Sequence, residues 1–383
     1  MIIKFKNLGP IDNGEIDFND LKGINLIIGK NNTGKTYLSN FIYTVLRNIR
    51  IERMLKIDDL SKKMRSMGKR EGDNFSDELC ETDLPFVFHT NKKCFENTEI
   101  NIEFDEKDKF TENEKYFLEN IEINNTCFFP AERSGAILFY NQLLENRNNI
   151  LRQLELSQDI NLLKNISRYS EPVNEYIIRL NKLEEYENKE ETEIYRNLVK
   201  NINIQNIIEG EIIIRSNQII YKNENDLKLN MGLVSSTVKT LAGFFLYLKF
   251  QAQKGDIVFI DEIELNLHPE NQRKIMKLIN YLSKQGIKFI ISTHSPVITQ
   301  EMNNMIMFEK CKDKIDDEII KEYSIDRENY GLRQEDVNIY FLNNKTIEQA
   351  EFVEDGVITE TFNEVLGEID NLYQELLFAM EEE

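Results

Sequence analysis

Residues 29–36 have the sequence Gly-Lys-Asn-Asn-Thr-Gly-Lys-Thr, and the segments on either side of this octet decide the fold. Before it, residues 24–28 (Ile-Asn-Leu-Ile-Ile) are mostly apolar, as expected for a strand covered on both faces of a sheet. After it, apolar residues recur at helical spacing from Thr36 to about Met67. Because a strand, a glycine-containing turn and a helix follow one another, the octet predicts a loop that binds phosphate groups.

This type of loop, known as Walker A, also predicts the ligand and most of its contacts. Its glycines let the backbone wrap so that N–H groups point at phosphates beside the N-terminus of the helix. Lys35 is expected to reach the β- and γ-phosphates, and the Thr36 hydroxyl to ligate Mg²⁺. We therefore predict ATP with Mg²⁺ as the ligand, held by six consecutive residues: Asn31, Asn32, Thr33, Gly34, Lys35 and Thr36.

A second motif supplies carboxylates. Residues 257–260 (Ile-Val-Phe-Ile) are apolar and run directly into Asp261 and Glu262. A core strand of this kind delivers its acidic side chains to the carboxyl edge of an α/β sheet, where ligands bind. Together with the phosphate-binding loop, the pattern predicts a Walker B motif in which Asp261 holds Mg²⁺ through water. Glu262 is then the predicted catalytic carboxylate, which polarises the water that attacks the γ-phosphate.

His294 is the second predicted catalytic residue. It is one of only three histidines in the chain, and it follows a predicted strand at 287–291 within the sequence Ser-Thr-His-Ser-Pro. A single histidine is usually structural, but this position at the end of a strand favours contact with the ligand. Its imidazole is expected to hydrogen-bond the γ-phosphate or the attacking water.

The composition limits the classes of partner and compartment. Charged residues make up 30% of the 383 residues and the net charge is −20, so DNA binding is possible but not favoured. The N-terminus is too polar for a signal peptide, no apolar stretch is long enough to span a bilayer, and the four cysteines form no CxxC pair. These features predict a cytoplasmic protein without a membrane partner.

Three stretches resemble a known group of proteins: GKNNTGKT, VFIDEIELNLHPENQ and IISTHSP. They are similar to the ABC-type ATPase heads of the SMC, Rad50 and OLD group, especially the short bacterial "AAA family" ATPases of anti-phage defence. The resemblance covers roughly residues 1–50, 125–140 and 230–360. It implies an α/β fold in which an ABC-type P-loop ATPase head is made of N- and C-terminal lobes, with a helical insertion between them.

The resemblance also implies sites that the motifs alone do not give. Residues 234–239 (Val-Ser-Ser-Thr-Val-Lys) match the place of the family's signature loop, although Ser236 and Thr237 stand where glycines are usual. In the family, the serine at the position of Ser235 faces the ATP bound to the other protomer. The resemblance therefore implies a head-to-tail homodimer or a higher even-numbered homo-oligomer. Arg133, in a segment that recurs in the group, would contact nucleotide or the partner head, with a helix-capping ion pair as the alternative.

The domain organisation follows from alternating strand and helix patterns, which predict the α/β class. Strands are expected at 211–214, 256–260 and 287–291, and helices at 237–251 and 270–284. We predict an N-terminal lobe over 1–133, a helical insertion over 134–205, a C-terminal lobe over 206–360 and an acidic helix over 361–383. Since the insertion carries mixed charge and few evident core residues, it is expected to project from the head as a solvated lobe.

Three hypotheses for the function remain open. In the first, the chain is the sensor or regulatory ATPase of an anti-phage defence system and controls a separate protein effector encoded nearby. In the second, it is a DNA-repair ATPase that clamps DNA through a basic stripe in the insertion. In the third, it is a nucleotide-gated scaffold that sequesters a toxin. The acidic charge weighs against the second and Glu262 against the third. The stripe comprises four residues: Arg147, Arg152, Lys164 and Arg168.

Overall fold

The computed structural model describes residues 2–17, 20–57, 97–103, 125–157, 169–202, 205–350, 352–353 and 356–357. The predicted acidic helix over 361–383 lies outside the described residues, as do Lys164 and Arg168. Within the part of the chain that is described, no helix is both long enough and apolar enough to cross a membrane.

The described part of the chain contains both strands and helices. The strands are β1 (Ile2–Leu8), β2 (Ile11–Asp17), β3 (Ile24–Gly29), β4 (Glu99–Glu103), β5 (Thr126–Phe129), β6 (Gly210–Arg215), β7 (Gln218–Asn223), β8 (Lys228–Asn230), β9 (Ile257–Ile260), β10 (Lys288–Thr293), β11 (Val337–Asn343), β12 (Thr346–Gln349), β13 (Phe352–Val353) and β14 (Gly356–Val357). The helices are α1 (Lys35–Ile57), α2 (Arg133–Ser157), α3 (Glu171–Leu180), α4 (Leu183–Glu187), α5 (Glu193–Asn201), α6 (Gln205–Ile208), α7 (Ser236–Phe250), α8 (Pro269–Lys284), α9 (Pro296–Cys311) and α10 (Asp317–Glu322). The predicted α/β fold class is confirmed.

A nine-stranded sheet with the order β4-β1-β2-β12-β11-β3-β10-β9-β5 organises the chain. Its central strands β11, β3, β10, β9 and β5 run parallel to one another. The register pairs Thr293 with Ile28, Ile291 with Ile260, and Ile260 with Phe129. The carboxyl ends of these strands therefore meet at one edge, which is where ligands bind in open α/β sheets.

Both faces of the parallel strands are covered, as the apolar sequences of β3 and β9 predict. Successive side chains of a strand point to opposite faces, and those of β9 divide accordingly between two buried clusters. Ile257 and Phe259 pack in the cluster that contains α1, whereas Val258 and Ile260 pack in the larger cluster that contains α2, α3, α7 and α8. The sheet thus holds α1 on one face and the other helices on the opposite face.

The prediction that residues 134–201 contain few core residues is wrong for α3 to α5. The α3 residues Val173, Tyr176, Ile177 and Leu180 are buried in the same cluster as the central strands. Their i, i+3, i+4, i+7 spacing is that of an amphipathic helix, and the charged runs around it conceal the pattern. The second half of α2 is largely exposed, with Leu156 at 88%. The boundaries of the insertion stay a prediction.

A smaller antiparallel sheet of three strands, β6-β7-β8, precedes α7. Gly210 opens β6 where a Cβ atom would lie 2.4 Å from the carbonyl oxygen of Lys222, so only glycine fits the close pairing with β7. The predicted strand at 211–214 is confirmed by β6, and the helices and strands expected from 237 to 291 are confirmed within a residue or two at their ends.

Candidate nucleotide-binding site

The phosphate-binding loop lies at the carboxyl edge of the sheet, between β3 and α1. Gly34 has a φ of +105°, and a Cβ atom there would lie 2.9 Å from Pro10 Cγ in the turn between β1 and β2. Asn32 has a φ of +63°, which asparagine tolerates better than most residues. The loop therefore takes a conformation that this sequence can adopt without large strain, and α1 starts directly behind it.

The side chain of Lys35 folds back onto the backbone of its own loop. Its Nζ atom donates hydrogen bonds to the carbonyl oxygens of Gly29 at 2.8 Å and Lys30 at 2.9 Å, and the side chain is buried. Burial lowers the pKa of Lys35, and the nearby carboxylates of Glu262, Glu264 and Asp261 act in the opposite direction. The ammonium group is thus enclosed between the loop backbone and the acidic side chains that follow β9.

Thr36 and Asp261, the two predicted metal ligands, are in direct contact. The Thr36 hydroxyl donates a hydrogen bond to Asp261 Oδ2 at 3.0 Å, although the two residues are 225 positions apart. Oxygen donors of this kind suit Mg²⁺, which in P-loop proteins takes its other ligands from water and phosphate. No cluster of three or more His, Cys, Asp or Glu side chains suited to a metal occurs among the described residues. The pair fits a metal that the nucleotide brings with it.

Ser292 holds both acidic residues of the Walker B motif. Its hydroxyl contacts Asp261 Oδ1 and accepts a hydrogen bond from the Glu262 N–H at 2.9 Å. Ser292 is the fifth residue of β10, and the parallel pairing of β10 with β9 places it beside the end of β9. Sequence reasoning did not single out this serine. Its place in the Ile-Ser-Thr-His run, at the end of the neighbouring strand, was the available signal.

Glu262 has a left-handed backbone with a φ of +48°. A residue other than glycine in this conformation costs on the order of 1–2 kcal/mol and persists where its surroundings fix it. Here Ser292 fixes the N–H group, and Arg133 donates to the Glu262 carbonyl oxygen at 2.8 Å. The carboxylate that was predicted to be catalytic therefore belongs to a residue whose backbone N–H and carbonyl groups are both hydrogen-bonded.

Arg133 does not occupy the place that the sequence predicted for it. It is 2% exposed, and its guanidinium group donates to the carbonyl oxygens of Pro130 at 3.0 Å, Asp261 at 2.6 Å and Glu262 at 2.8 Å. A nucleotide or a partner head cannot reach a guanidinium group that is buried and occupied in this way. The alternative of a capping ion pair is also wrong, because every acceptor is a backbone carbonyl.

His294 and Glu264 meet beside the end of β10. His294 Nδ1 lies 2.9 Å from Glu264 Oε1, at ion-pair distance but without hydrogen-bond geometry, and the imidazole is 40% exposed. Glu264 also accepts from the His294 N–H at 2.7 Å and the Thr293 hydroxyl at 2.8 Å. Glu264 thus positions the backbone of His294. The contact of His294 with phosphate stays a prediction.

Ser235 lies at the exposed start of α7. Its hydroxyl accepts a hydrogen bond from the Val238 N–H at 3.3 Å and caps the helix. Behind it, Thr237 donates to the carbonyl oxygen of Asn266 at 3.1 Å, so the start of α7 is joined to the loop that follows Glu262. Neither of these hydrogen bonds joins Ser235 to the phosphate-binding loop of its own chain. Its role at the nucleotide of the other protomer stays a prediction.

Comparisons with solved structures returned remote similarities. The SMC head domain with an extended coiled coil from Pyrococcus furiosus, bound to the C-terminal domain of ScpA, is 14% identical over 96% of this chain and 98% of that chain, with a TM-score of 0.39. The SMC head domain from Thermotoga maritima is 12% identical over 92% and 98%, with a TM-score of 0.35. The transporter component cbiO1 from Clostridium perfringens is 12% identical over 99% and 98%, with a TM-score of 0.29.

The comparison with protein families is more direct. No curated protein matched the chain. A family model described as "AAA domain, putative AbiEii toxin, Type IV TA system" matches residues 24–299, from β3 into α9. The matched segment contains the phosphate-binding loop, both acidic residues after β9 and His294, and it spans more than half of the sequence. The chain belongs to this family of AAA domains, the putative AbiEii toxin family of type IV TA systems.

Proposed function

We propose that the chain binds ATP with Mg²⁺ and hydrolyses it to ADP and phosphate. The observation that carries this proposal is the contact between Thr36 and Asp261 beside Lys35, with Glu262 as the next residue. A hydroxyl, a carboxylate, an ammonium group and a second carboxylate are the groups that phosphoryl transfer to water requires, and here they come from two distant motifs.

Each group has a distinct task in this reaction. Lys35 exchanges its two carbonyl acceptors for phosphate oxygens. Thr36 and Asp261 would hold Mg²⁺, which would neutralise charge on the phosphates. Glu262 takes a proton from the attacking water as its oxygen bonds to the γ-phosphorus and the bond to the β-γ bridging oxygen breaks. ADP carries the electron pair of the broken bond. His294, supported by Glu264, donates a hydrogen bond to the γ-phosphate or the attacking water.

Two substitutions and a matched control test this proposal. Lys35→Ala removes the ammonium group, and we expect affinity for a fluorescent ATP analogue to fall about 100-fold or more. Lys30→Ala, on the exposed part of the same loop, should leave it unchanged. Glu262→Gln should bind the analogue like the wild type and hydrolyse ATP at least 100-fold more slowly. Equal affinity in the wild type and Lys35→Ala would refute the assignment of the loop.

We further propose that two heads close on ATP head to tail, with Ser235 of one protomer acting at the nucleotide of the other. The exposed hydroxyl at the N-terminus of the 15-residue helix α7 supports this role, because such a helix end favours phosphate groups. Mixing a Lys35→Ala protein with a Ser235→Arg protein should restore about one working site per mixed dimer. Mixed dimers that form but never regain hydrolysis would contradict it.

The biological role proposed is that of a sensor or regulatory ATPase in bacterial anti-phage defence, acting on a separate protein effector. The family description, with its putative toxin of a type IV system, supports a setting in which one protein controls another. The net charge of −20 favours a basic protein partner over nucleic acid. Copurification of the chain with the product of an adjacent gene, at a defined ratio and dependent on ATP, is the expected result.

A DNA clamp is the alternative, and the described basic residues permit a direct test. Arg147 and Arg152 lie on the exposed half of α2. Deleting residues 140–200 would be uninformative, because α3 to α5 belong to the core. Reversing the charge at Arg147 and Arg152 leaves the core intact. Salt-sensitive binding of duplex DNA by the wild type that is lost in this double variant would favour the clamp over the protein partner.

A further inference from the structure

Arg133 is a buried cation to which the proposed mechanism assigns no task. It is the first residue of α2, directly after the turn that follows β5, and its side chain turns back to the end of β9. Burial lowers its pKa, and Tyr176, Asp261, Glu264 and Glu262 act in the opposite direction. Placing a guanidinium group in the core is costly unless its N–H groups are satisfied, so its bonds must be specific.

The acceptors of Arg133 are unusual in their arrangement. Nη1 donates to the carbonyl oxygens of Pro130 and Asp261, and Nη2 donates to that of Glu262. The two terminal nitrogens of one planar guanidinium group thus bind the carbonyl oxygens of the two residues that directly follow β9. A lysine has a single donor centre and cannot reproduce this fork, and a shorter polar side chain cannot reach across from β5 to β9.

These bonds act on a residue whose backbone conformation is strained. Glu262 has its φ at +48°, and its side-chain direction is set by that backbone angle. Ser292 accepts a hydrogen bond from the N–H group of the same residue, so the peptide units on both sides of the Glu262 Cα atom are fixed. Without the guanidinium group, the strain can relax by rotation of the backbone, and the carboxylate then points elsewhere.

We propose that Arg133 is a positioning residue for ATP hydrolysis, which holds the backbone of Asp261 and Glu262 so that the Glu262 carboxylate faces the attacking water. The proposal rests on the proposed function of Glu262. It assigns to Arg133 a large effect on the chemical step and a much smaller one on nucleotide affinity. The bonds described above join the guanidinium group to carbonyl oxygens after β5 and β9, and none of them joins it to the phosphate-binding loop.

Two variants and a buried control test the proposal. Arg133→Met removes the charge and the fork, and Arg133→Lys keeps the charge and removes the fork. Arg179→Met is the control, because Arg179 is a partly buried arginine on α3, and its Nη1 atom is buried without a hydrogen-bond partner. We expect kcat to fall about 100-fold in both Arg133 variants, with KM for ATP and affinity for a fluorescent ADP analogue within about threefold of wild type.

Hydrogen exchange gives a readout that does not depend on activity. In both Arg133 variants, amides 262–266 should exchange at least tenfold faster than in the wild type, while amides 31–36 should not change. In Arg179→Met, kcat should stay within about threefold of wild type even where the melting temperature falls as far as in Arg133→Lys. Where Arg133→Met does not fold, Arg133→Lys provides the same comparison.

Two results would overturn the proposal. One is a loss of kcat in the Arg133 variants no larger than in Arg179→Met at the same melting temperature. The other is unchanged exchange at 262–266 in a folded Arg133 variant. Failure of the proposed function gives a different pattern, in which Glu262→Gln hydrolyses ATP as fast as the wild type whatever the Arg133 variants do.

Discussion

Replacing Ser292 with alanine removes one hydroxyl that serves both acidic residues of the site. Ser292 is fully buried, and its Oγ atom contacts the Asp261 carboxylate and accepts from the Glu262 N–H at 2.9 Å. Alanine fits the same space and leaves the backbone of β10 unchanged. The substitution therefore leaves a buried carboxylate oxygen without this donor and a strained peptide N–H without its acceptor.

The cost follows from these two losses. A buried polar group left unsatisfied costs about 1–3 kcal/mol, with the upper part of the range for charged groups. Asp261 is 3% exposed and carries a charge, which indicates about 2 kcal/mol, and the half-buried Glu262 N–H adds about 1 kcal/mol. We expect Ser292→Ala to lower the free energy of unfolding by about 3 kcal/mol, and kcat to fall about tenfold or more because Glu262 loses one of its two backbone anchors.

A second buried serine provides the control. Ser39 lies on α1, and its Oγ atom is buried without a hydrogen-bond partner. Ser39→Ala removes the same atoms but no bond, so its free energy of unfolding should stay within about 0.5 kcal/mol of wild type or rise. Urea unfolding followed by circular dichroism measures both variants. If Ser292→Ala is no less stable than Ser39→Ala, the argument that this hydroxyl organises the site is wrong.

Further predictions concern buried hydroxyl groups and the loop. Tyr186→Phe should keep or raise stability near neutral pH because its hydroxyl is buried without a partner, whereas Tyr247→Phe should cost about 1.5–3 kcal/mol because it breaks a 2.7 Å bond to Asp256. Burial raises the pKa of Tyr186 to about 12, so the stability it contributes is present below pH 10 and is lost as pH rises towards 12. Urea unfolding at pH 8 and pH 11 should show a smaller alkaline loss in Tyr186→Phe than in wild type. Gly34→Ala should weaken binding of a fluorescent ATP analogue at least tenfold, since its Cβ atom would collide with Pro10 at a φ of +105°.

The phosphate-binding loop and the two acids after β9 could be predicted because their geometry follows from simple rules. An apolar strand followed by a glycine-containing turn and a helix fixes the loop, and parallel strands bring their carboxyl ends to one edge. The contact between Thr36 and Asp261 at 3.0 Å is the direct consequence. No alternative register of β9 against β10 would keep both Asp261 and Ser292 at that edge, since a shift by one residue reverses every side chain.

The contacts of Arg133 could not be predicted by such rules. A sequence gives the residue type and the helix that follows, but it does not tell which carbonyl oxygens a long side chain will reach after folding. The acceptors of Arg133 include carbonyls of Asp261 and Glu262, which lie 128 and 129 positions away. The resemblance to ATPase heads suggested a ligand contact, whereas the fold encloses the guanidinium group behind the strand ends. Long-range backbone acceptors leave no local signal in the sequence.

The insertion was misjudged for a different reason, because charged runs conceal the apolar spacing of α3, and α3 shows what the correction means for function. Glu171 and Glu175 of α3 lie 3.4 Å and 3.3 Å from the guanidinium nitrogens of Arg47 on α1, the helix that begins with the phosphate-binding lysine. On the same helix, Tyr176 packs edge-on against Phe129 of β5 and fits against Gly243 of α7, where a Cβ atom would lie 2.2 Å from its hydroxyl.

This one helix therefore contacts three elements that adjoin residues of the candidate site. They are α1 behind the loop, β5 ahead of Arg133, and α7 behind Ser235. Close packing transmits displacement, because cores have little room to absorb it. A change in the distance between α1 and α7 on binding ATP must then shift α3 or break its contacts. Since Ile178 of α3 is 40% exposed, such a shift would reach the protein surface, which is where the proposed protein effector would have to bind in order to respond to it.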